Sequence, residues 1–208
     1  MSETTADREP VGRRERKKAA TRRALADAAL RLFLERGYDQ VGIRDIADAV
    51  DVSTTTLFKY FPVKEALVFD EDAEQEARLL AAVQERARGQ SVVAALREHA
   101  LSCRVGRRDA DPAFAAFVSL VEGTPALREY AQRMWLRHET SLAHAIAEAS
   151  GVPAGDPDCA ALAHFALEAP RSAPGHADRH EAVTRAFDLL ERGWNDIERG
   201  WNDIGPRA

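Results

Sequence analysis

Cysteine is scarce: the 208 residues contain two, Cys103 and Cys159, far apart and neither in a CxxC pair. That argues against a disulfide framework or a zinc finger and leaves two free thiols as the expectation. No stretch approaches the ~18 unbroken apolar residues of a membrane helix. The opening MSETTADREPVGRRERKK lacks the apolar core of a secretory signal, so a cytoplasmic protein is expected. Period-2 alternation is missing, which argues against a sheet. A glycine-rich phosphate loop, a GxSxG elbow and a DxD cluster are missing too, and Glu168 and Asp158 form no recognisable pair, so nothing supports an enzyme. His99, His138, His144 and His164 make no HxxxH or HExxH pattern. His138-Glu139 precedes His144 at a spacing wrong for ligands on one helix face, so neither metal nor cofactor is expected.

What is present is helix-forming. Alanine, leucine, glutamate and arginine dominate, and 45% hydrophobic with 30% charged residues suits a soluble chain with a sizeable core. The length fits a small head and a larger body. In the segment 15–36, Leu25, Ala28, Ala29, Leu32 and Phe33 fall on one apolar stripe, and Gly37 follows as a stop in the left-handed cap conformation. Short helices are expected over 43–50 and 54–61, the second capped by Ser53 and closed by Pro62. A long helix is expected from Lys64 to about residue 87. Further helices are expected near 91–105, 111–122, 125–149, 157–169 and 177–194. The expected fold is all-α with about nine helices, a three-helix helix-turn-helix head followed by a C-terminal helical bundle. The expected divisions are a flexible basic arm over 1–14, a small helical head over 15–62 and a larger helical body over 63–208.

Net charge is −5, yet residues 8–23 carry eight Lys and Arg against two acids, while residues 61–208 carry 17 basic and 24 acidic residues. Phosphate attraction decays over ~8 Å at physiological salt, so the local patch outweighs the total. By itself such a run is equally a solvated tail.

The segment IRDIADAVDVSTTTLFKYF has helix-turn-helix grammar: a short helix, a tight turn at Asp51-Val52, then a second helix capped by Ser53 whose N-terminal residues can face base edges in a major groove. Ile46, Ala47, Val52, Leu57 and Phe61 would form the core between them. Together with the preceding helix, Gly37-Tyr38, Tyr60-Phe61 and Lys64-Glu65-Ala66-Leu67, this stretch resembles the head of the tetracycline-repressor (TetR) family of transcriptional regulators. The resemblance covers about a quarter of the chain, from Ala20 to about Glu71. It implies that Thr54, Thr55 and Thr56 lie at the exposed start of the recognition helix. It also implies that Lys59, Tyr60 and Lys64 meet phosphates and that Arg44 reaches base edge or backbone. Arg13, Arg14, Lys17 and Lys18 would follow an adjacent groove or backbone. Three positions depart from the family pattern: Asp51 stands where glycine is usual, Gly42 where a hydroxyl cap is usual, and Phe58 where tyrosine is usual.

The resemblance further implies a ligand-binding and dimerisation body. The expectation is a ligand-responsive regulator, a repressor by family habit, whose partners are double-stranded DNA, a second copy of itself and an unidentified small-molecule effector, with no membrane partner. Candidate pocket residues are Phe114, Phe117, Val118, Trp135 and His138, aromatic walls with one polar handle. One helix-turn-helix buries little DNA contact, so a two-fold dimer is expected. Leu162, Phe165, Ala166, Val183, Phe187 and Leu190 are candidates for its four-helix interface. Near the C-terminus ERGWNDI occurs twice in succession, placing Trp194, Ile197, Trp201 and Ile204 on a coiled-coil seam. The repeat reads either as an extension of a dimer helix or as a duplication hanging off the end. A helical enzyme or binding protein with an incidental basic arm, and a protein-binding adaptor, stand as alternatives.

Overall fold

The computed structural model describes residues 12–102, 112–171 and 178–204. These contain nine α-helices, one short 3-10 turn and no strand. Contacts divide the chain into a unit ending at Asp70 and a unit beginning at Glu71.

The first unit holds α1 (Arg13–Arg36), α2 (Ile43–Ala49), α3 (Thr54–Tyr60) and a 3-10 turn (Glu65–Leu67). The apolar stripe of α1 does what its spacing requires: Leu25, Ala28, Ala29, Leu32 and Phe33 are all buried. They pack with Tyr38, Val41, Ile46, Ala47, Leu57, Phe61 and Leu67 into the small core that holds α2 and α3. Gly37 ends α1 at φ 86°, ψ 147° and donates its N–H to the Phe33 carbonyl at 2.9 Å. That ψ lies outside the left-handed helical well and in a region open essentially to glycine alone, which corrects the expected cap geometry. The helix also starts earlier than expected. Arg13 and Arg14 belong to the first turn of α1, not to an arm.

The second unit holds α4 (Asp72–Gln84), α5 (Val92–Ser102), α6 (Pro112–Gly123), α7 (Pro125–Ser150), α8 (Pro157–Glu168) and α9 (Arg179–Ile204). The expected helix from Lys64 is split: residues up to Leu67 form the 3-10 turn, and α4 begins only at Asp72. Helix α7 packs against α4, α6 and α8, while α5 lies along α9. The α5–α9 contact is fastened by Ser91 Oγ donating to Glu191 Oε1 at 2.5 Å and by Arg97 on Asp188 at 2.8 Å. The core draws Leu79 and Val83 from α4, Val93 and Leu96 from α5, Leu142 and Ile146 from α7, and Phe187 and Trp194 from α9. Cys159 is buried there, and that burial, with Asp156 and Asp158 nearby, pushes its thiol up to about 12. Cys103 lies outside the described residues.

Two expectations change at this level. Leu162, Ala166, Val183 and Phe187, placed on a dimer face from their apolar spacing, belong to the subunit's own core, and Leu190 packs against it. Phe165 alone of that set is largely exposed, at 54%, and Leu189 on α9 is exposed at 65%. Helix α9 also runs unbroken through both ERGWNDI copies, beyond the expected end at Trp194. Trp194 itself is only 2% exposed, so the first copy packs inward and is not available to a seam between subunits. No helix among the described residues is long and apolar enough to cross a membrane.

Candidate nucleic-acid interface

Local chemistry sets the α2–turn–α3 geometry. Helix α2 has glycine at its cap, and Asp45 compensates by reaching back to accept the Gly42 N–H at 2.7 Å. This acidic residue at the third helical position is half of a capping box, and it also sits where the helix dipole favours a negative charge. At the other end Asp51 takes φ 54°, the one positive φ outside glycine among the described residues. The Val52 N–H then returns to the Ala47 carbonyl at 3.0 Å and the Asp51 N–H to Asp48 at 3.2 Å, a Schellman closure. Asp thus performs the turn that glycine more commonly makes, because its short polar side chain tolerates the left-handed well. Ser53 follows in an extended conformation. Its Oγ accepts the Thr56 N–H at 3.1 Å and lies 2.8 Å from the Thr56 hydroxyl.

Helix α3 is anchored by Leu57, which has no exposed surface, and by Phe61 just past its end. The opposite face is open: Thr55, Phe58 and Lys59 are exposed, and Thr54, Thr56 and Tyr60 are half-buried. Of the three threonines, Thr56 has its hydroxyl engaged by Ser53, so Thr54 and Thr55 have the freer side chains. Phe58, 48% exposed, puts an aromatic ring on this face. Arg44 on α2 is exposed, as are Arg13, Arg14, Lys17 and Lys18 on the first turns of α1, where every residue from 12 to 20 is open to solvent.

Lys64 departs from its expected role. Its Nζ donates to the Tyr38 carbonyl at 2.6 Å, lies 3.9 Å from the centre of the Tyr38 ring and 5.2 Å from that of Phe33. Burial pulls its pKa below the ordinary lysine value. The ammonium is therefore used inside the head, because the chain after Pro62 enters a 3-10 turn and carries Lys64 back towards α1. The Tyr38 hydroxyl donates to Glu65 at 3.0 Å, and burial followed by that carboxylate raises the tyrosine pKa. Arg22, counted within the basic run, also faces inward and binds the carbonyls of Tyr60 and Asp70.

In the body the expected pocket residues fall on the neighbouring helices α6 and α7. Phe114 and Phe117 stack with ring centres 6.2 Å apart, and these two and Val118 are each partly exposed. Trp135 meets the His138 ring edge-on at 5.8 Å and carries the Arg171 guanidinium 5.0 Å above its face. His138 is not a free polar handle. It is 3% exposed, and its Nε2 lies 2.7 Å from Asp72 Oδ1. Arg137 pairs with the same Asp72 and with Glu76, and Ser141 donates to Glu76 at 2.7 Å. The Ser141 hydroxyl first, with the Arg137 guanidinium beside it, holds Glu76 below the usual carboxylate range. No group of three His, Cys, Asp or Glu side chains able to hold a metal occurs among the described residues.

Comparison with known proteins follows the same division. Residues 25–70 match the family model described as bacterial regulatory proteins, tetR family, and residues 90–202 match the model of the MftR C-terminal domain. The chain is 34% identical over 152 residues to the HTH-type transcriptional regulator TcmR of Streptomyces glaucescens, covering 70% of this chain and 67% of TcmR. It is 26% identical over 189 residues to a Mycobacterium tuberculosis regulator named for mycofactocin biosynthesis, MftR, covering 88% and 94% of the two chains. Among solved structures, GusR of Salmonella enterica aligns with a TM-score of 0.53 at 26% identity, covering 82% of this chain and 93% of GusR.

Proposed function

The chain belongs to the TetR family of DNA-binding transcriptional regulators, and from that premise we propose that it is a repressor that grips a palindromic operator as a homodimer and lets go when a small molecule enters its body. The observation that carries this reading is the open face of the Ser53-capped helix α3, where Thr55 and Lys59 are exposed and Thr54 is half-buried, in the same unit as the exposed basic first turns of α1. Threonine can donate, accept or touch a thymine methyl, so it can distinguish one base edge from another. Lys59, Tyr60, Arg44, Arg13, Arg14, Lys17 and Lys18 supply the positioning contacts to phosphate. Work on chromosomal DNA sets its place in the cytoplasm.

The effector reading rests on the aromatic pairs of α6 and α7. Phe114, Phe117, Val118 and Trp135 suit an apolar, ring-containing molecule. His138 serves there as a fixed wall, since Asp72 occupies its Nε2. The effector acts by favouring one spacing of the two heads over another, which is the only way a ligand can shift such an equilibrium. Dimerisation uses the outward side chains Phe165 and Leu189 in place of the inward residues of α8 and α9.

The test is selection of bound duplexes from a random pool at low salt, followed by gel shift with Thr55→Ala/Lys59→Ala. The expected result is a palindrome bound by the wild type and weakened at least tenfold in the variant, with helicity intact. Absence of any retained duplex refutes the reading.

A further inference from the structure

Arg22 lies in the densest run of positive charge in the chain, yet its guanidinium is turned into the head. Nη1 donates to the Tyr60 carbonyl at 3.0 Å and Nη2 to the Asp70 carbonyl at 2.9 Å. The guanidinium carbon lies over the Phe61 ring, 4.3 Å from its centre. Tyr60 is the last residue of α3, so its carbonyl is one of those a helix leaves without an internal partner. Asp70 is the last residue of the head unit, the point at which the chain leaves it. Phe61 is buried and closes α3 against the core. One side chain from α1 therefore fixes the end of α3, the aromatic plug behind it and the chain's exit.

We propose that Arg22 is a positioning residue for DNA recognition: it sets where helix α3 sits by clasping the Tyr60 and Asp70 carbonyls across the Phe61 ring. Helix α3 is short, seven residues, with Leu57 as its one fully buried anchor. Its other end is set by Ser53, so without the clasp the C-terminal end is held by the burial of Phe61 alone, with neither the Tyr60 nor the Asp70 carbonyl tied to α1, and can shift about the Leu57 contact. Base readout needs hydrogen-bond geometry at particular base edges, whereas phosphate attraction acts over longer distances and tolerates small shifts. A lysine cannot replace this group. Its single ammonium lacks the fork that meets two carbonyls from separate nitrogens while the group sits over a ring.

This rests on α3 being the helix that reads DNA, and the experiment separates the two claims. The wild type is first used to recover a duplex from a random pool. Failure there sinks the reading of α3 and not the clasp. Arg22→Lys and Arg22→Met are then titrated against that duplex and a scrambled duplex of equal length, across a salt series. The expected result for both variants is a loss of tenfold or more on the selected duplex, less than twofold change on the scrambled one, and an unchanged salt slope. Amide exchange should quicken at Leu57–Phe61 while the amides of α2 keep their protection. Three results would overturn the proposal: Arg22→Lys binding as tightly as the wild type, a salt slope reduced by about 0.9 with equal weakening on both duplexes, which would mark a phosphate contact, or loss of protection throughout the head, which would mark a general folding role.

Discussion

Replacing Ser53 by alanine isolates the single hydrogen bond that starts the recognition helix. The Ser53 hydroxyl accepts the Thr56 N–H at 3.1 Å, and in its absence that donor has no intrahelical partner. Loss of such a cap costs about 1 kcal/mol, within 0.5–2, whereas glycine at the same position costs only a few tenths. One kcal/mol is a factor of about five in an equilibrium constant. Helix α3 has seven residues, too few to persist alone, so the factor falls directly on its local opening. The expected outcome for Ser53→Ala is roughly fivefold faster amide exchange at Thr56 through Phe61 and a fall of about 4–8 °C in the head's own melting transition. Ser53→Gly should change both by well under half as much. DNA affinity behaves differently. It falls only by the fraction of molecules in which α3 has opened. If opening costs the wild type more than about 2 kcal/mol, Ser53→Ala therefore binds within about twofold of the wild type. Exchange is the assay that decides. Alanine behaving like serine, or glycine doing as much harm as alanine, would show that something other than this cap holds the helix start.

Two further outcomes follow from side chains on and within the body. Phe165→Glu combined with Leu189→Glu should convert a dimer to a monomer in sedimentation without loss of helicity, since both side chains point outward at 54% and 65% exposure; a dimer that persists places the interface elsewhere. His99 has its pKa lowered by burial and then by Arg78. Its neutral form is favoured in the fold, so stability is retained above the unfolded value of about 6.5 and is lost as pH falls from there towards the folded value. A denaturation midpoint measured from pH 7.5 downward should decline, and His99→Gln should flatten that decline.

The elements that punctuate the head are legible in sequence because each follows from one residue's own chemistry. Ser53 must cap, Pro62 must stop, and Asp51 is among the few non-glycine residues that accept φ 54°. The α1 stripe is legible for the same reason, since only one face of a 3.6-residue period can be apolar. Direction is what a linear pattern hides. Lys64 reads as a cation near a helix start, and nothing in the sequence says that the Tyr38 carbonyl and ring wait 2.6 and 3.9 Å away. Arg22 reads as one more charge in a basic run until Tyr60 and Asp70, 38 and 48 residues on, fold over it. Apolar spacing on α8 and α9 likewise marks burial without saying whether the subunit or its twin supplies the cover. Leu162, Val183 and Phe187 are covered from within. The reach of Asp45 back to Gly42 was readable as an acid at the third helical position after a weak cap, and it is the missed signal that the sequence did contain.

The tandem heptad in α9 makes the length of that helix a quantised quantity. Because the two copies are letter-identical, excising either one yields the same polypeptide. Each unit inserted or removed moves the helix end by about 10.5 Å, at 1.5 Å per residue. Successive copies stay within about 20° of the same azimuth. The rod can thus be shortened or lengthened stepwise while Trp194 keeps its berth against the bundle and every residue before it is left untouched.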